Sequence, residues 1–142
     1  SIDKLVLTDI SKRCLKVIKK NLFFHNLTAD IYLSDWFKYL PEQKFDIIVS
    51  NPPYISKNDH HLKHLSFEPR RALIASNQGL SDIETILKNG VNFLKDNGEL
   101  FIEHGFNQKQ NVQEIFKRYN YKDVVSFKDL TGNYRITKGV RK

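Results

Sequence analysis

Hydrophobic and polar positions alternate along this chain in short blocks of two kinds. Lys4–Thr8 (KLVLT) is an apolar run ending at Asp9 and reads as a buried strand. Ser11 then offers a helix N-cap. Behind it Cys14, Leu15, Ile18 and Leu22 recur at helical spacing, while Lys12, Lys16, Lys19 and Lys20 mostly turn away from that stripe. The same spacing makes Cys14 a core thiol. Ala29–Leu33 is a second strand, ending at Ser34 and Asp35. Phe45–Ser50 (FDIIVS) is a third, and its contiguous Ile47, Ile48 and Val49 predict burial on both faces, as in a parallel sheet.

Asn51 to about Gln78 reads as a long loop, and loops of that length are usually functional. A helix is predicted over Leu80–Phe93, with Ile83, Ile86, Leu87 and Leu94 inward. Asp96–Gly98 reads as a turn into a strand over Glu99–Glu103. A helix over Gln108–Tyr119, a strand over Tyr121–Lys128, a turn at Thr131–Gly132–Asn133 and a strand from Tyr134 to Val140 complete the chain. Strands alternating with helices predict an α/β domain whose mostly parallel sheet is covered on both faces. The last two strands, separated only by a turn, should pair antiparallel. No repeat, linker or second domain interrupts residues 1–142.

Composition changes this picture little. The chain has 142 residues, of which 40% are hydrophobic and 27% charged, as expected of one globular domain. One cysteine excludes a disulfide framework, and no apolar stretch is long enough for a membrane helix. These features predict a soluble, cytoplasmic monomer with no membrane contact. A net charge of +7 suits either a phosphate-binding face or a generally basic, lysine-rich surface, and both readings stay open. There is no methionine, and the first residues already read as the inside of a fold. A fragment is the expectation.

Candidate chemistry gathers at strand ends, where open α/β sheets bind ligands. Asp9, Asp35–Trp36 and Asn51–Tyr54 follow three successive strands. A carboxylate there accepts from both hydroxyls of a ribose, although Asp9 equally suits a helix start. Asp35 can accept from an adenine amino group, and Trp36 offers a flat face to a purine or to the core. Asn51-Pro52-Pro53-Tyr54 carries the sharpest signal. Pro52 biases Asn51 to an extended backbone, and the two prolines stiffen the loop. The Asn51 side-chain oxygen and the Pro52 carbonyl can then accept both protons of an –NH2 group, with Tyr54 packed on the plane that carries it. Such an arrangement suits methyl transfer to a planar nitrogen, whose delocalised lone pair needs orienting more than it needs a base. The His60, His61 and His64 run reads as a polar loop rather than a metal site, and no metal is expected. Glu103 and His104, adjacent on a strand, face opposite ways and read as a strand-end feature near the cofactor rather than as an acid–base pair.

SNPPYI at Ser50–Ile55, FEPRRAL at Phe67–Leu73, EHG at Glu103–Gly105 and DLTGNYR at Asp129–Arg135 together resemble the class I S-adenosylmethionine-dependent methyltransferases. More narrowly, they resemble the N5-glutamine methyltransferases of peptide chain release factors. The resemblance implies a Rossmann-like fold with S-adenosylmethionine as cofactor. It also implies, as substrate and partner, the glutamine of the Gly-Gly-Gln loop of a class 1 release factor. It assigns Asp9, Asp35, Trp36 and Asn51 to the cofactor, Asn51 through Tyr54 to the substrate, and catalysis to Asn51, Pro52 and Tyr54. Glu68 and Arg71 either shape the substrate side or form a salt bridge.

The family's glycine-rich loop should lie some twenty residues before Asp9, and only eight residues precede it here, none of them glycine. The expected domain therefore lacks its first strand and that loop, and would bind cofactor weakly or not at all. Two rival readings remain. An N6-adenine methyltransferase of DNA or RNA shares the NPPY chemistry but must also extrude its base. A non-catalytic remnant is the other.

Overall fold

A computed structural model describes residues 3–53, 55–56, 74–75 and 79–142, with backbone only at 55–56 and 74–75. The elements in chain order are β1 (Val6–Asp9), α1 (Lys12–Phe24), β2 (Asp30–Leu33), β3 (Phe45–Ser50), β4 (Ile55–Ser56), β5 (Ile74–Ala75), α2 (Ser81–Gly90), β6 (Leu94–Glu103), α3 (Lys109–Arg118), β7 (Tyr121–Lys128) and β8 (Tyr134–Arg141). A single 3₁₀ turn, Val91–Phe93, joins α2 to β6. The chain divides into two compact units, Ser1–Gln43 and Lys44–Lys142.

In the first unit β1 and β2 run parallel, with Asp9 opposite Leu33. Ser11 caps α1 as its sequence predicts, its hydroxyl accepting from the Cys14 amide at 3.4 Å. No residue of α1 is buried, and Cys14 is half-buried rather than a core thiol. The helical stripe is present in the sequence, but within this unit it meets only a two-stranded sheet.

The second unit carries a four-stranded sheet in the order β3-β6-β8-β7. β3 and β6 pair parallel, whereas β8 pairs antiparallel with both β6 and β7. The predicted antiparallel ending is therefore observed, with β8 inserted between its neighbours. β4 and β5 form a separate two-residue parallel pair within the segment read as a long loop.

β6 starts at Leu94, earlier than expected. Asn97 adopts a left-handed backbone (φ 61°), and the β3–β6 register shifts between Phe45 and Ile47. Together these carry the strand through Asp96–Gly98, which reads as a turn in the sequence.

Strand alternation sorts the sheet into two faces. Leu100, Ile102, Thr137 and Gly139 lie on the face toward α3, as the closeness of Gly139 to the Phe116 ring shows. Ile83, Ile86, Leu87, Leu94, Val112, Ile115 and Phe116 complete this core, and the inward residues predicted for α2 are all buried. The opposite face presents Ile47, Val49, Val125, Phe127 and Ile136, all exposed. A Lys138–Glu99 ion pair lies among them. Burial of β3 on both faces is thus not observed: Val49 is 76% exposed. No described helix covers that face within this unit.

The two faces should respond differently to substitution. Leu100→Ala is expected to cost about 2–5 kcal/mol. Val49→Lys should leave stability within about 0.5 kcal/mol. Urea unfolding of the two variants measures the contrast.

Candidate functional site

Asp9 ends β1, and its Oδ1 accepts from the Ser11 amide at 2.7 Å. A carboxylate has about four acceptor positions. That bond therefore fixes the side chain while leaving most of its capacity for a ligand. The main-chain carbonyl of Asp9 accepts from the Ser34 amide at 3.0 Å, extending the β1–β2 ladder one step past Leu33. Asp35 and Trp36 thus follow immediately beyond the strand end that adjoins Asp9.

Trp36 has a left-handed backbone (φ 51°), an outlier for a bulky aromatic residue. Conformations of this kind cost on the order of 1–3 kcal/mol and persist only where neighbours over-determine them. Ser34 is part of that support: it is 3% exposed, and its hydroxyl accepts from the Tyr39 amide at 3.0 Å. The turn bonds Lys38 N–H to Asp35 O and Leu40 N–H to Phe37 O, both at 3.1 Å, complete it. Sequence reasoning passed over Ser34. The available signal was a small hydroxyl residue between a strand end and an acid, a common local cap.

In the second unit Asn51, Pro52 and Pro53 follow β3. Pro52 is fully buried, Pro53 half-buried and Asn51 exposed. A buried proline flanked by an exposed amide anchors the loop while leaving the Asn51 side chain available. Tyr54 lies outside the described residues, as do Glu68, Arg71 and the His60–His64 run. Asp9, Asp35 and Trp36 belong to one unit and Asn51–Pro53 to the other. Among the described residues, no three His, Cys, Asp or Glu side chains are grouped to hold a metal ion.

His104 immediately follows β6 and is fully buried. Its Nδ1 lies 2.9 Å from the Gly105 carbonyl and its Nε2 2.8 Å from the Thr137 hydroxyl. A carbonyl only accepts, so Nδ1 carries the proton and Nε2 accepts from Thr137. Burial pushes the imidazole below its ordinary pKa and Arg135 adds to this, against the Gly105 carbonyl and Glu103. The unfolded chain then takes up the proton first as the pH falls. The stability from a neutral His104 is complete above about pH 6.5 and declines below it, by at most about 1.4 kcal/mol per pH unit. Urea midpoints measured between pH 7.5 and 5.5 should show the decline, and His104→Gln should flatten it.

The hairpin between β7 and β8 is closed by Asp129, which accepts from the Thr131 hydroxyl at 2.6 Å and from the Thr131 and Asn133 amides. The Thr131 hydroxyl is the largest influence holding the Asp129 carboxyl down to about 2. Arg135 pairs with its other oxygen at 3.3 Å. Leu130 is fully exposed at the tip.

The family model for the methyltransferase small domain matches residues 1–77. The release factor glutamine methyltransferase of Buchnera aphidicola subsp. Acyrthosiphon pisum is 46% identical over 136 residues, covering 92% of this chain and 48% of that protein. The Pasteurella multocida protein of the same name is 44% identical over 85% of this chain and 42% of its own length. A bifunctional methyltransferase of Rickettsia typhi is 42% identical over 93% of this chain and 26% of its own. The chain thus spans about half, or less, of the length of the curated relatives it matches. A Pyrococcus furiosus methyltransferase superposes with a TM-score of 0.73 at 16% identity, over 97% of this chain and 62% of that one. A ribosomal-protein methylase from Lactobacillus delbrueckii subsp. bulgaricus does so with a TM-score of 0.73 at 12% identity, over 100% and 60%. The fold is that of a partial Rossmann-like methyltransferase.

Proposed function

The chain belongs to the methyltransferase small domain family, and from that membership we propose that its parent protein methylates the side-chain amide nitrogen (N5) of a glutamine. The substrate is the Gly-Gly-Gln loop of a class 1 release factor, and the donor is S-adenosylmethionine. The reading rests on the loop after β3, where buried Pro52 anchors an exposed Asn51. Relatives at 40–47% identity that bear the release factor name support it.

The residues present fit the donor. Asp9 keeps acceptor capacity beyond its bond to Ser11 and would hold the ribose hydroxyls. Asp35 and the locally constrained Trp36 would hold the adenine, and Asn51 would serve both donor and substrate. When bound, S-adenosylmethionine supplies an electrophilic methyl group. The chain's own contribution is orientation: the Asn51 Oδ1 and the Pro52 carbonyl accept the two amide protons, which aims the nitrogen lone pair and favours the positive charge developing on it. Pro53 and Tyr54 hold the plane of the amide. The proton leaves after attack, so no strong base is required.

The enzyme acts as a cytoplasmic monomer on a protein and needs no direct nucleic acid. Among the described residues no helix is long and apolar enough to cross a membrane. Incubating the full-length enzyme and S-adenosylmethionine with a release factor, and separately with DNA and RNA, tests the reading by mass spectrometry. One added methyl on the loop glutamine is the expected result. Methylated adenine with unmodified glutamine would establish the nucleic-acid reading in its place.

A further inference from the structure

His104 belongs to a closed circuit of hydrogen bonds. The Gln113 side-chain amide on α3 donates to Ser126 Oγ on β7 at 2.9 Å, and Ser126 Oγ lies 2.7 Å from Thr137 Oγ1 on β8. Because Thr137 gives its proton to His104 Nε2, it must accept from Ser126, which itself accepts from Gln113. His104 Nδ1–H then donates to the Gly105 carbonyl, which also accepts the Gln108 amide at 2.9 Å. The Gly105 amide in turn donates to Gln108 Oε1 at 2.8 Å. Gln108 is the N-cap of α3, so the circuit leaves α3 at Gln113 and returns to it. Every hydroxyl in it has one orientation.

His104 and the acceptor loop follow the paired ends of two adjacent parallel strands. The ladder ends with Ser50 opposite Ile102, and Pro52 and His104 each lie two residues past it. Both residues are fully buried.

We propose that His104, held as the Nδ1–H tautomer by the Gly105 carbonyl and tied at Nε2 by Thr137, is a positioning residue for methyl transfer that holds the β6–α3 corner against which the Asn51–Pro52 acceptors are set. The inference rests on the glutamine-methylating reading above. The two ring nitrogens have separable roles. Asparagine can present an N–H where Nδ1 stands, whereas glutamine places its amide nearer the Nε2 position and loses the bond to Gly105.

In the full-length enzyme, at a temperature where all variants are folded, His104→Gln should lower kcat about 10- to 100-fold, the scale of a small misplacement. KM for S-adenosylmethionine should rise far less than kcat falls, because the donor contacts proposed for Asp9, Asp35 and Trp36 are untouched. His104→Asn should recover most of the loss. Thr137→Val, which removes the hydroxyl that donates to Nε2, should lower kcat in the same way, and the effects of Thr137→Val and His104→Gln should not add. ¹⁵N imidazole spectra of the substrate-free protein should show the Nδ1–H tautomer in the wild type and still in Thr137→Val, where the Gly105 carbonyl remains and only the Nε2 partner is lost. Wild-type kcat in His104→Gln, equal losses in the Gln and Asn variants, or an Nε2–H wild-type tautomer would each overturn the proposal. A wild-type enzyme that leaves glutamine unmodified removes the reading beneath it, and the tautomer spectrum, which needs no substrate, keeps the two failures apart.

Discussion

Asn51→Ala in the full-length enzyme is expected to lower the kcat for glutamine methylation by about 10- to 1000-fold, the range for losing one preorganised polar partner of a developing charge. The substitution removes the side-chain oxygen but keeps the Pro52 carbonyl, so one of two acceptors survives and the rate should not fall to zero. Asn51 also serves the donor in the proposed arrangement, so affinity for S-adenosylmethionine should weaken, and calorimetric titration separates that loss from the loss in kcat. Stability should hold within about 0.5 kcal/mol, since Asn51 is exposed. An unchanged kcat would remove the role assigned to this side chain.

The second large effect concerns the core. A Cβ added at Gly139 would lie 2.5 Å from Phe116 Cδ1 and 2.9 Å from Tyr121 Cβ. Neither neighbour has room to yield. Phe116 is fully buried and packs edge-on against Tyr121, with ring centroids 5.1 Å apart, and the Tyr121 hydroxyl is tied to the Leu87 carbonyl at 2.9 Å. Gly139→Ala should therefore cost at least the usual overpacking penalty of about 1–3 kcal/mol. Phe116→Ala should cost about 3–5 kcal/mol through the cavity it leaves. Combined, the two should cost clearly less than their sum, because the truncated ring vacates the space the new methyl needs. A double-mutant cycle by urea unfolding should return a coupling of about 0.5–3 kcal/mol. Strict additivity would mean that the backbone of β8 moves instead.

These two sites were unequally legible in the sequence. Asn51–Pro52 announces itself, because two prolines after a β-branched run specify both an extended backbone and a fixed loop. β3 and β7 were bounded correctly because chain-turning residues follow each, the prolines after Asn51 and the Thr131–Gly132–Asn133 turn after Asp129. The inward set Ile83, Ile86 and Leu87 followed from spacing alone. Gly139 did not declare its role, since nothing local distinguishes a glycine that admits a phenylalanine from one that merely bends a strand. The early start of β6 was hidden because Asn97 and Gly98 normally favour turns, and here they fall in the register shift between the Phe45–Leu94 and Ile47–Glu99 pairs. Apolar β3 residues revealed a strand but not how many of its faces would be covered. Trp36 gave its chemistry in the sequence but not its strained backbone, which depends on Ser34 and the turn after it. The His104 circuit joins residues from 104, 113, 126 and 137, and no local pattern connects them.

The placement of β8 sets the order in which this protein can be made. β8 is the last strand of its sheet in the chain, yet it lies inside the sheet, between β6 and β7. On the ribosome β6 and β7 therefore emerge with no strand between them, each exposing a backbone edge that only later residues can fill. Folding of this unit has to wait for Tyr134–Arg141 to clear the exit tunnel. At roughly 5–20 residues per second the wait is seconds, long enough for holding chaperones to matter. A stop codon placed before Tyr134 would do more than shorten the protein: it would remove both ladders that join β7 to the rest of the sheet.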